Sequence, residues 1–152
     1  MHVASWHANY RGLVPDEQIE ARSLDVRRDQ WRKCFDDPAR ITLVAQEREQ
    51  IQGFASALLI DAKTHGFESY LQTLYLLPEV QGRGIGRDLL RELARRLRER
   101  GITSMALRTL RLNRARTFYE RLGARLVPEG IANDAGQFDD VVYAFDDIRV
   151  LE

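Results

Sequence analysis

Gln81-Gly82-Arg83-Gly84-Ile85-Gly86 is the stretch on which the reading of this chain turns. Upstream, Leu71 to Leu77 reads as a strand, and Pro78 ends it by removing a backbone donor. Downstream, Ile85, Leu89, Leu90, Leu93, Ala94 and Leu97 recur at helical spacing as far as Gly101, a natural C-terminal stop. A strand, a loop with alternate glycines and a helix start together make an anion site. The glycines let the backbone approach a ligand closely, and the unpaired amides of the first helical turn point at negative charge. A phosphate-bearing cofactor is the expected ligand.

Two familiar phosphate motifs do not fit. A P-loop needs a lysine directly after its second glycine, and the only lysines are Lys33 and Lys63. A dinucleotide-binding turn spaces its glycines as Gly-x-Gly-x-x-Gly, with an acidic residue about 20 positions later. Here the third glycine comes one residue early, and Gly101 to Met105 holds no carboxylate. Taken alone, the three glycines serve equally well as a plain strand-to-helix connection.

A second segment breaks the tie. Asn113-Arg114-Ala115-Arg116-Thr117-Phe118-Tyr119-Glu120-Arg121-Leu122-Gly123-Ala124 follows a strand-like run from Thr103 to Arg108. Asn113 is a suitable N-cap, while Ala115, Phe118, Tyr119 and Leu122 lie near one helical face that Gly123 ends. The Gln81–Gly86 run on a helix start, then a strand, then this Asn113–Ala124 segment closely resembles the GNAT superfamily of acetyl-CoA-dependent N-acyltransferases. The resemblance covers most of the chain.

It implies an α+β fold in three layers, the GNAT acyl-CoA N-acyltransferase fold, with a mixed central sheet of about six strands flanked by helices. Ser5-Trp6 and Tyr10-Arg11-Gly12-Leu13-Val14-Pro15-Asp16 resemble the family's first-helix region. Only Met1 to Ala4 stand before it, too few for a strand and turn, so the family's first strand is expected to be missing. The strand Ile41–Gln46 would then be an exposed edge, or one covered in a homodimer.

The resemblance also assigns the chemistry. Acetyl-CoA is the implied co-substrate, and a primary amine of a small molecule or peptide is the implied acceptor. Its pantetheine arm would pair with the strand around Leu74 and Leu76. The pyrophosphate would sit on the amides of Gln81, Gly82, Arg83, Gly84, Ile85, Gly86 and Arg87, with the Arg83 and Arg87 side chains adding charge. Asn113 matches a residue that contacts the cofactor arm. Tyr119 matches the family tyrosine that protonates the departing thiolate, and a phenol of pKa ~10 is protonated at neutral pH. The general base is less defined. Tyr70 stands where related sequences often carry glutamate; Glu68, two residues earlier on the same strand face, is the catalytic candidate, and Glu79 in the loop is the other.

Composition sets the frame. At 152 residues, with 44% hydrophobic and 30% charged residues, the chain reads as one domain over 1–152. No apolar run approaches the ~20 residues of a membrane span, and no signal peptide opens the chain. The single cysteine, Cys34, supports no disulfide framework, so cytoplasmic residence is expected. His2, His7 and His65 show no metal-ligand spacing.

The net charge of zero hides an asymmetry: residues 83–125 carry thirteen arginines against four acids. A solvated helix face with cofactor capture explains this better than nucleic acid does. Two other classes remain in view, a non-catalytic acyl-CoA sensor and a toxin-like acetyltransferase acting on aminoacyl-tRNA. The acceptor is expected between the region Trp6–Val14, the strand Glu68–Gln72 and the loop Glu129–Phe138. Glu129, Asp134, Asp139 and Asp140 there hint at a cationic amine.

Overall fold

Alternate residues of the same strands build two apolar layers, one on each side of a single sheet. The computed structural model describes residues 2–21, 23–131 and 139–152. Three helices come first, α1 (His2–Tyr10), α2 (Asp16–Glu20) and α3 (Leu24–Phe35), then strands β1 (Arg40–Glu47) and β2 (Gln50–Leu59). There follow α4 (Ala62–His65), β3 (Ser69–Leu76), α5 (Ile85–Glu99), β4 (Met105–Leu110), α6 (Ala115–Arg121), β5 (Arg125–Val127) and β6 (Asp140–Phe145). The six strands lie in the order β1-β2-β3-β4-β6-β5. β3 and β4 run parallel; the other neighbours are antiparallel. This is the expected mixed sheet flanked by helices. No strand precedes β1 among the described residues, and β1 is an edge of the sheet.

The leucine periodicity of α5 accounts for the first layer. Leu90, Leu93, Ala94 and Leu97 are fully buried against Ala55, Ala57, Leu71, Met105, Leu107 and Phe145. Each leucine removed from water in this way contributes roughly 1.5–3 kcal/mol. The opposite side of α5 holds ion pairs, among them Arg95–Glu92 at 2.6 Å and Arg96–Glu92 at 2.8 Å. Arg98 pairs with Glu152, Arg111 with Asp139 and Arg125 with Asp146. Part of the arginine block is thus matched in space by distant acids and part by acids one turn away. Such exposed pairs add little stability.

The second layer is aromatic. Trp6, Val14, Ile19, Phe54, Tyr75 and Leu110 are buried together beneath α1–α3. Trp6 stacks on Tyr10 at 3.9 Å between ring centroids, and Trp31 meets Phe54 edge-on at 5.2 Å. Phe35 stacks on Trp31 at 5.6 Å yet stays 71% exposed. Between β2 and β3 lies the one-turn α4, capped by Asp61 accepting from Lys63 N and Thr64 Oγ1. β4 runs two residues later than the Thr103–Arg108 reading. No described helix is long and apolar enough to cross a membrane.

Candidate active site

The site begins where β3 leaves β4. The two strands are in register at Tyr70↔Ala106 and Leu71↔Leu107 and nowhere beyond. Against β2, the register of β3 skips Gln72: Ala57 faces Leu71, and Ser56 faces Thr73. The extra residue is a bulge, which bends its strand and raises its twist. β4 meanwhile keeps step with β6 as far as Leu110↔Asp140. From Gln72 to Leu76 the β3 edge therefore faces a widening gap, not a partner strand. An unpaired edge of this kind accepts an extended, amide-bearing ligand. Leu74 and Leu76 both lie on it, with side chains packed towards the α5 layer.

At the open end of the gap the chain turns through Pro78–Val80 into the glycine run. Gly82 has φ +76° and Gly84 φ +88°, the left-handed conformation that glycine adopts without penalty. Gly84 is the N-cap of α5 and supplies no side chain to occupy the helix amides. Among the described residues no amide from Gly84 to Arg87 is seen donating to another backbone carbonyl, while a hydrogen-bonded turn covers Gln81–Gly82; the helical bonds begin with Asp88 N to Gly84 O at 3.1 Å. A Cβ on Gly82 or Gly84 would meet nothing within 4 Å, so open space stands over the donors. These features fit a pyrophosphate.

Gly86 has a different job: its Cβ would lie 3.3 Å from both Leu76 Cδ1 and Phe118 Cζ, so it lets α5 pack closely. Gln81 Nε2 reaches Leu76 O at 3.5 Å, Ile85 packs on the core, and Arg83 and Arg87 are exposed, Arg83 lying 4.0 Å from Glu47. A groove of about 470 Å³ adjoins Arg83 and Ile85 along β1, but Glu47, Asp88 and Glu92 line it and disfavour phosphate.

α6 carries Tyr119, the residue read from the sequence as the proton donor. Asn113 Oδ1 accepts from Ala115 N at 2.9 Å, so Asn113 does cap the start of the helix. Tyr119 is buried on the α5 side of the sheet, 7% exposed. Burial first, then the neighbouring phenols of Tyr10 and Tyr70, hold its pKa well above 10. Tyr75 is raised for the same reasons, with Tyr10 and Tyr119 among its neighbours. Four phenols from α1, β3 and α6 therefore share one electrostatic environment around the splayed strands.

With that geometry in place, the family comparison is decisive. The sequence profile of the acetyltransferase (GNAT) family matches residues 6–124. The chain belongs to this family. A relative from Bacillus subtilis (strain 168), uncharacterized N-acetyltransferase YuaI, is 30% identical over 135 residues, which is 88% of this chain and 74% of the relative. The PaiA N-acetyltransferase of Thermoplasma acidophilum, solved in complex with coenzyme A, has the same fold, with TM-score 0.75 and 23% identity over 93% of this chain and 86% of that one. Aminoglycoside 6'-acetyltransferase type Ii shares it too, with TM-score 0.69 and 22% identity over 96% and 86%.

Glu68 occupies a place in this GNAT acetyltransferase that the sequence does not foretell. It precedes β3, which starts at Ser69. Its Oε2 accepts from Thr103 N at 2.6 Å, Thr103 Oγ1 at 2.7 Å and Ser104 N at 3.1 Å, and these bonds lower its pKa. The carboxylate ties down the loop before β4, at the paired end of the strands and away from the gap. Glu79 is exposed in the turn before the glycine run.

Of the acidic residues read as an acceptor loop, Asp139 pairs with Arg111 at 3.0 Å. Asp134 lies outside the described residues, as does the rest of 132–138. What sequence reasoning missed is a polar island on the sheet beneath α1–α3: Arg40, Thr42, Ser56, Gln72 and Thr73. The signal was present in the polar alternate positions Arg40 and Thr42 of an otherwise apolar strand.

Proposed function

We propose that this acetyltransferase moves an acetyl group from acetyl-CoA directly to the primary amine of a small molecule or peptide, with both substrates bound together. One observation carries the reading: the gap between β3 and β4 has an amide cradle at its open end and the Tyr119 phenol alongside. In this account the amides of residues 82–87 receive the pyrophosphate, and Arg83 and Arg87 neutralise it. The free edge around Leu74 and Leu76 aligns the pantetheine arm by backbone pairing, with Asn113 beside it. Positioning of this kind converts an encounter into a directed attack.

The amine nitrogen attacks the thioester carbonyl, and the carbon–sulfur bond breaks as the tetrahedral centre collapses. Tyr119 donates its proton to the departing thiolate, the attacking nitrogen loses its extra proton to solvent, and solvent returns a proton to the phenolate. The phenol is protonated across the neutral range and so has the proton to give. No side chain is assigned as general base: Glu68 is engaged in three hydrogen bonds, and the amine reacts as its neutral form.

Thiol release from acetyl-CoA, measured with a panel of amines and joined to mass spectrometry of products formed in a metabolite extract, tests the reading. Turnover that falls in Tyr119→Phe supports it. Acetyl-CoA binding without turnover for every amine, unaltered in Tyr119→Phe, would make the protein an acyl-CoA sensor instead.

A further inference from the structure

The polar island holds a buried charge whose counter-ion, Asp37, stands at a distance. Arg40 Nη1 donates to Ser56 Oγ at 3.3 Å and to Gln72 Oε1, both neutral acceptors. Thr42 Oγ1 lies 3.0 Å from the same Ser56 hydroxyl. Only 12% of the Arg40 side chain is exposed, and its one ion-pair partner, Asp37, stands 3.9 Å from Nε, too far for a hydrogen bond. Nε itself is buried with no hydrogen-bond partner, and so is the hydroxyl of Thr73, opposite Ser56 in the neighbouring strand. A buried guanidinium whose recorded counter-charge stands beyond hydrogen-bond distance, beside otherwise neutral acceptors, gains from an anion that completes its shell.

The location gives the anion a meaning. Gln72, which Arg40 touches, is the bulge residue at which β3 departs from β4. The face is the one beneath α1–α3, opposite the α5 layer that carries the glycine cradle and Tyr119. An acceptor entering the gap from this side comes beside Gln72, to which Arg40 is bonded. Two further arginines lie on this side of the sheet. Arg27 sits over the Trp6 ring at 5.7 Å, and Arg108 alternates with Ala106 and Leu110 on the same face of β4. A planar guanidinium with parallel N–H donors matches a carboxylate in two-point contact.

We infer that Arg40 reads a carboxylate on the acceptor, so that the substrates are amino acids and related amino-carboxylates, not polyamines. This rests on the transferase reading above, and the experiment separates the two. Matched pairs of acceptors, each amino acid beside its decarboxylated amine and a series with the amine one, two or three carbons from the carboxylate, are compared by thiol release. The carboxylate member is favoured in kcat/KM by about 10- to 100-fold, the span of a charge-assisted contact. Arg40→Gln collapses that ratio to below about 2-fold and Arg40→Lys leaves an intermediate one, since it keeps the charge without the fork. Asp37→Asn, which keeps the oxygen that accepts from Ala39 N but removes the competing charge, raises the ratio.

Binding is followed independently of turnover by the fluorescence of Trp6 and Trp31, the chain's two tryptophans, both on this side of the sheet. N-acetylated amino acids are titrated against N-acetylated amines with coenzyme A present. Preference for polyamines, or an equal loss for both members of each pair in Arg40→Gln, overturns the inference. Arg40-dependent binding of N-acetyl amino acids without any turnover would uphold it and sink the transferase. Turnover confined to amines lacking a carboxylate would do the reverse.

Discussion

Replacing Gly84 by valine isolates the cradle from the fold. Gly84 holds φ +88° at the N-cap of α5, and a side chain there meets no protein atom within 4 Å. The cost to folding is therefore backbone strain alone, about 1–3 kcal/mol for a non-glycine residue in the left-handed region. In a chain of this size that lowers Tm by roughly 2–10 °C. The cost to binding is larger. A branched side chain over the amides displaces the phosphate from at least two charge-assisted bonds worth about 1.5–3 kcal/mol each. Affinity for coenzyme A should fall by about 10²- to 10⁴-fold.

Gly66 supplies the control. It has φ +81°, equally open surroundings and a place at the end of α4, outside the cradle. Gly66→Val should lower Tm to a similar degree and leave the affinity intact. Calorimetric titration with coenzyme A, beside thermal melts of both variants, reads the two quantities separately. A Gly84→Val protein that binds within about threefold of the parent would refute the assignment of the amides. A matching loss in Gly66→Val would show that strain, not the cradle, governs binding.

Tyr119→Phe should keep coenzyme A affinity and reduce kcat by about 10²-fold or more; an unchanged kcat at saturating substrates would remove the phenol from the mechanism. The raised folded-state pKa of Tyr119 also sets a sign: its contribution to stability is complete below the unfolded value of about 10 and is lost as pH rises through the folded one. Urea unfolding above pH 10 should accordingly be less pH-sensitive in Tyr119→Phe than in the parent. Glu68→Gln should cost about 1–3 kcal/mol at neutral pH through its weakened loop bonds. Because the pKa of Glu68 is lowered, that difference is present above the unfolded value and fades as pH falls through the folded one; a collapse of kcat with no change in stability would reinstate it as the base. Gly53→Ala should lose about 1–3 kcal/mol by denaturant titration, since its Cβ would lie 2.9 Å from Tyr75 O and closer still to Leu76 Cδ2; an unaltered midpoint would mean that β2 and β3 part freely.

The parts of the site that could be read from the chain are those made by neighbours in sequence. The turn from Gln81 to Gly86, the leucine face of α5 and the capped segment Asn113–Ala124 are each contained within a few turns of chain. Their periods of 2.0 and 3.6 residues report directly which side is buried. For the opposite reason, the partners of Glu68 were not legible. Strand periodicity assigns a face, but the loop that captures its carboxylate is 35 residues away in sequence. Arg40 escaped notice likewise: nothing near it in sequence says that Gln72 will stand beneath its guanidinium.

By itself, then, the sequence determined the family, the order of strands and helices and the glycine turn at the start of α5, because each depends on local backbone conformation or on a motif of fixed spacing. The tertiary structure decided the splay at Gln72, the engagement of Glu68 and the placing of Arg40 beside Gln72. Those depend on register between strands, and register is set by packing across the whole sheet.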